Sequence, residues 1–199
     1  MLSARPGANL VQSHAAWAVP LLLIVGMLYL QQWSAALDLL DYAPERLSSD
    51  PWRWWSAHFV HLNATHLVAN LLAFTAVCLI FAPWLRGFML LGVVLVSATC
   101  ASLVPWLANQ DLHFAGFSGV LHGLLLYGCV RVAREHWLGF AMLALLAAKL
   151  LAELCLGYFS GSQLAIAWLG SPTAYLAHLG GALGGGLSLL ALLAGTRKT

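Results

Sequence analysis

Apolar runs, each close to the roughly 20 residues a helix needs to cross a bilayer core, fill the sequence at about 16–37, 65–82, 87–107, 115–132, 137–157 and 174–194. A water-soluble fold cannot hide six such stretches beneath so thin a polar coat. Of the 199 residues, 61% are hydrophobic and 8% are charged, against roughly 25% charged in a soluble domain. That balance excludes a soluble enzyme and a disordered tail. At a net charge of +2 it also excludes a nucleic-acid binder with a basic face. The expectation is an all-α polytopic membrane protein, a six-helix bundle forming one domain over residues 1–199. Cys78, Cys100, Cys129 and Cys155 lie in apolar runs, show no CxxC and read as small buried thiols.

The first run is longer than a signal-peptide core and has only Arg5 ahead of it, so it reads as a retained span. Trp17, Trp33, Trp84, Trp106 and Trp137 fall at run ends, where amphipathic rings prefer to sit. With the N-terminus inside, Arg5, Arg86, Arg131, Arg134, Arg197 and Lys198 are on the inner side, and Arg46 and Arg53 are on the outer side. The positive-inside rule therefore predicts two cytoplasmic termini. Spans two, four and six then run from outside to inside, and their first turns share one depth near the outer face.

Polar groups in hydrocarbon are costly and point to function. His66 and Asn70 open span two, Ser118 opens span four and His178 opens span six, so the topology gathers them in one layer. His66 and Asn70 are spaced i, i+4 and share a helix face. Ser118 stands in Gly116-Phe117-Ser118-Gly119, a tight turn into a helix. The first N–H groups of that helix lack intrahelical partners, and its dipole makes the spot electropositive. A serine there is well set to attack a carbonyl while free amides receive the oxyanion. Gly119 and Gly123 on span four, and Gly180, Gly181, Gly184 and Gly185 on span six, supply small-residue faces. Contact along them would bring the His178 imidazole to the Ser118 hydroxyl. The competing use of these histidines is a metal site, but no HExxH occurs.

At these residues the sequence resembles the rhomboid proteases. The family's span-two pattern is met by Phe59 to Asn70, with His61, His66 and Asn70 in register. Trp52-Arg53 stands where a Trp-Arg pair precedes it, the GxSG turn is Gly116 to Gly119, and the Ala-His-x-Gly-Gly of the last helix is Ala177 to Gly181. The resemblance implies an intramembrane serine endopeptidase with Ser118 as nucleophile and His178 as general base. Asn70, His66 and the turn from Gly116 to the Ser118 amide would line the oxyanion hole. His61, Trp52 and Arg53 would support the site. It also implies a Ser–His dyad without an acid, and no carboxylate lies in the outer half of spans two, four and six.

His122, four residues after Ser118, replaces the tyrosine common in the family. Stacking on His178, fixing its tautomer and filling a polar pocket all remain open roles for it. The run Ser118-Gly119-Val120-Leu121-His122-Gly123 and the His58-Phe59-Val60-His61 stretch resemble the rhombosortase branch. That likeness implies a membrane-anchored substrate with a C-terminal Gly-Gly-containing sorting tail, cut on the periplasmic side of the inner membrane. No cofactor, metal or nucleic acid is expected; membrane lipid is the other partner. The alternatives are a general rhomboid protease, a catalytically dead client-binding relative and a small channel. Lys149 and Glu153, spaced i, i+4 in span five, read as a structural ion pair. His58 is expected to bond within its own loop. Tyr158–Thr173 reads as a lid with hinges at Gly161 and Gly170.

Overall fold

The computed structural model describes residues 10–160 and 173–196. They form α1 (Leu10–Gln32), α2 (Ala36–Leu40), α3 (Arg53–Ser56), α4 (Ala64–Ile80), α5 (Gly87–Leu107), α6 (Ser118–Ala133), α7 (Leu138–Ser160) and α8 (Tyr175–Thr196). The apolar helices are α1, α4, α5, α6, α7 and α8, and the architecture is an all-α membrane bundle. Helices keep every backbone polar group bonded within the segment, which hydrocarbon demands. The first helix stops at Gln32, short of the expected boundary near 37. A turn at 33–35 lets α2 restart, and this packs Ala36 against Val60 and Ala115.

Helix length sets depth. Stretches of α5, α7 and α8 are long and apolar enough to cross a membrane. The 17 residues of α4 and the 16 of α6 reach only about 25 Å, against about 30 Å of hydrocarbon. With Arg131 and Arg134 at the far end of α6, its first residue lies recessed from the opposite surface. Large apolar side chains such as Leu22, Leu72, Phe88, Leu145 and Leu190 are exposed on the outside of the bundle. In water that would be an aggregating surface; acyl chains cover it.

The centre of the bundle is α5, α6 and α8. About four-tenths of the apolar windows of α5 and α8 is buried (39% and 44%), against 11% for α7. Two interleaved glycine stripes explain the seat of α8. A Cβ on Gly181 would fall on the Gly119 carbonyl of α6, and one on Gly185 on the Gly123 carbonyl. A Cβ on Gly180 or Gly184 would instead strike α5 backbone at Cys100 or Ser97. The helix therefore touches both neighbours main chain to main chain. The contact with α5 was not among the expectations.

Between α1 and α4 the chain folds over one end of the bundle around Arg53, which is 1% exposed. Its guanidinium donates to the Asp41 carboxylate, to Asp50 Oδ2 at 3.2 Å, and to the carbonyls of Asp41 and Asp38 at 3.0 and 2.8 Å. A buried charge is tolerated when its donors are matched in this way. Trp52 stays half exposed and donates its Nε1–H to the Leu39 carbonyl at 3.1 Å. Tyr42 and Phe114 exchange two backbone hydrogen bonds, at 2.9 and 3.2 Å, and stack their rings 4.3 Å apart. That clamp fixes the strand of chain leading into α6.

Candidate active site

Ser118 is the first residue of α6. The turn before it needs glycine: Gly116 has φ 132°, and a Cβ there would overlap the His66 ring. Leu121 N–H is bonded back to the Phe117 carbonyl at 3.0 Å. The N–H groups of Ser118, Gly119 and Val120 have no intrahelical acceptor and carry the positive end of the helix dipole. The Gly116 N–H is different. It donates to the Ala57 carbonyl at 2.9 Å, and the missing side chain of Gly116 lets the His66 ring approach.

His178 lies in the first turn of α8, and the α6–α8 contact carries it over Ser118. Its Nε2 is 2.9 Å from Ser118 Oγ. The other ring nitrogen has a partner the sequence did not suggest: Nδ1 is 2.9 Å from Glu153 Oε2 on α7. The expectation of a dyad with no nearby acid is corrected here. An ion pair between Glu153 and Lys149 is present, at 2.6 Å, but its carboxylate faces two ways. A signal existed in the sequence. Span five runs opposite to spans four and six, so a residue near its end shares the depth of residues near their starts.

The remaining contacts close a circuit. Lys149 Nζ is also 2.8 Å from His122 Nε2, and His122 Nδ1 is 2.7 Å from the Ser118 carbonyl. The His122 and His178 rings stack, 4.2 Å apart and 19° from parallel. Of the roles left open for His122, stacking is present, and its hydrogen bonds go to Lys149 and Ser118. An ionised carboxylate only accepts and an ammonium only donates, and with a neutral His178 the contacts are satisfied by one arrangement of protons. Ser118 Oγ–H donates to His178 Nε2, and His178 Nδ1–H donates to Glu153. Lys149 donates to Glu153 and to His122 Nε2, and His122 Nδ1–H donates to Ser118 O. His122, Glu153 and His178 also offer one donor atom each within 4.8 Å of one another, a spacing suited to a cation. Two of the three, Glu153 and His122, are hydrogen-bonded to the Lys149 ammonium.

Asn70 and His66 line the same cavity, of about 320 Å³, with Ser118 and His178. Asn70 Nδ2 donates one hydrogen to the His66 carbonyl at 2.9 Å and has a second to offer. Asn63 caps α4 by accepting the His66 N–H at 2.9 Å, which seats His66 at the helix start. His61 is buried edge-on to His66, with ring centroids 5.2 Å apart. His58 does not bond within its loop as expected. Its Nε2 lies 3.0 Å from both the Ala98 carbonyl and Ser102 Oγ, and Ser102 donates onward to Trp54 O at 2.7 Å. This histidine pins the loop to α5, and burial pushes its pKa down to about 4. Cys155 is exposed, unlike the buried thiol expected. Of the expected lid, Tyr158–Ser160 continue α7, and 161–172, with Gly161 and Gly170, lie outside the described residues.

The helix order, the recessed serine and the small-residue contacts invite comparison with known proteins. A search of curated proteins finds no match. The Rhomboid domain family matches residues 48–195, from the loop around Arg53 through α8. Because that match takes in well over half of the sequence, the chain belongs to the rhomboid family of intramembrane serine proteases.

Proposed function

We propose that this protein is a serine endopeptidase that cuts a membrane-anchored protein near the outer face of the inner membrane. The observation that carries the reading is the 2.9 Å contact between Ser118 Oγ and His178 Nε2 inside a cavity that Asn70 and His66 also line. Ser118 Oγ attacks the scissile carbonyl carbon as its proton passes to His178 Nε2. The oxyanion is held by the free Asn70 N–H, His66 and the opening amides of α6. The imidazolium then protonates the leaving amine as the C–N bond breaks. Water adds to the acyl-enzyme, gives its proton to His178, and Ser118 regains its own as the ester bond breaks.

Ser118→Ala, expressed to wild-type level in membranes, is expected to abolish cleavage; retained turnover would refute the mechanism. The finer reading is rhombosortase-type processing of a C-terminal Gly-Gly-containing tail. It is supported by the Ser118–Gly123 run, with His122 in place of tyrosine. Co-expression with a Gly-Gly-tailed protein and mass spectrometry of the new C-terminus tests it. Cleavage of unrelated single-span proteins with the tailed one left intact would favour a general rhomboid protease.

A further inference from the structure

We infer that Glu153 is the positioning carboxylate of a Ser118–His178–Glu153 triad, held in place by Lys149. The inference rests on the proposed serine-protease reading and adds a third member to it. A salt bridge that served only to neutralise two charges in a span would let both carboxylate oxygens face the ammonium. Here they divide: Oε1 takes Lys149 at 2.6 Å and Oε2 takes His178 Nδ1 at 2.9 Å. That second bond holds the proton on Nδ1 and leaves the Nε2 lone pair for the serine proton. It also places negative charge beside the imidazolium that forms on proton transfer, as in serine proteases with an aspartate.

The titratable groups around His178 come from three helices. Glu153 and Lys149 face it from α7, His122 stacks on it from α6, and His66 borders the same cavity from α4. Lys149 alone would oppose a second positive charge on the imidazole. Glu153 lies between the two and offsets both. The i, i+4 spacing lets one helix deliver the acid and the group that holds it. A charged pair in hydrocarbon is expensive, and contact with the reacting imidazole gives this one a use.

The test uses the full-length protein in detergent micelles with a fluorophosphonate probe. Ser118 Oγ bonds to phosphorus, fluoride leaves, and His178 takes the proton. Labelling of wild type, Glu153→Gln, Glu153→Asp and Lys149→Met is followed by rate, and cleavage of a tailed substrate gives kcat and KM. Glu153→Gln is expected to slow labelling about 100- to 10,000-fold, with kcat falling and KM unchanged. Glu153→Asp recovers part of the rate, and Lys149→Met costs less than about tenfold. Equal losses from Glu153→Gln and Lys149→Met, as a purely structural pair requires, overturn the triad. So does wild-type labelling of Glu153→Gln. Wild-type protein that does not label at Ser118 overturns the protease reading itself. If the variants do not fold, ¹⁵N-histidine NMR of the wild type decides: the Nδ1–H tautomer of His178 supports the triad, and the Nε2–H tautomer overturns it.

Discussion

The helix bearing Ser118 meets its two neighbours in opposite ways. Against α8 it presents Gly119 and Gly123, and main chain lies on main chain. Against α7 it presents His122, which reaches Lys149 through side-chain atoms. The first contact leaves no rotamers to settle, so the separation of hydroxyl and imidazole is set by two rigid backbones. The second depends on long, rotamer-rich side chains on a helix that is mostly lipid-facing. Ser118 and His178 are built into the bundle, whereas Glu153 and Lys149 are brought to it by reach. The loop around Arg53 resembles the second kind, being held by side-chain hydrogen bonds.

The contrast breaks most sharply at Gly181. Gly181→Ala puts a methyl group onto the Gly119 carbonyl, which is backbone and yields only if α8 moves. Cleavage is expected to fall at least about a hundredfold, since a displacement near 1 Å costs about that much, with a lower Tm in detergent. Gly186, one residue from the end of the stripe, is the matched control. A Cβ there meets only Leu126 Cδ2, at 3.6 Å, so Gly186→Ala is expected to keep wild-type rate and Tm. Equal damage from both would mean that α8 is held by something other than the seam.

Asn70→Ala is expected to lower kcat about ten- to a thousandfold, the span seen on losing one oxyanion donor, with Tm unchanged within a few degrees. The smallest effect is on the side-chain-built loop in acid. Burial holds the His58 pKa at about 4, against about 6.5 in the unfolded chain. The unfolded loop therefore takes up the proton first, and the loop's stability, complete above about pH 6.5, is lost as pH falls towards 4. Hydrogen exchange at residues 41–63 is expected to accelerate from pH 7 to pH 5, after correction for the intrinsic rate, while α6 and α8 stay protected. Uniform acceleration would erase the distinction between seam and loop.

How far the sequence reaches follows the same division. The convergence of Ser118 and His178 is readable because it needs only depth and small residues, both encoded locally. Glu153 is harder. Its i, i+4 lysine looks like a sufficient partner, and no local pattern tells how α7 is rotated about its axis. The Gly116 amide is likewise opaque, since its acceptor, Ala57, comes from a loop whose path is set by Arg53. Only the family resemblance points to that arginine. Its four acceptors come from Asp38, Asp41 and Asp50, a convergence visible only once the chain has turned. The pairs Gly180–Gly184 and Gly181–Gly185 are both expected to meet span four, yet the first pair faces α5.

The brevity of α4 bears on the lipid as much as on the protein. Its exposed residues Val68, Leu72, Leu79 and Ile80 face acyl chains whose two leaflets together are thicker than the helix is long. Those lipids compress or splay beside it, at a modest elastic cost per ångström of mismatch. The depth of Ser118 beneath the lipid surface is consequently a joint property of the bundle and the annulus of lipid around it.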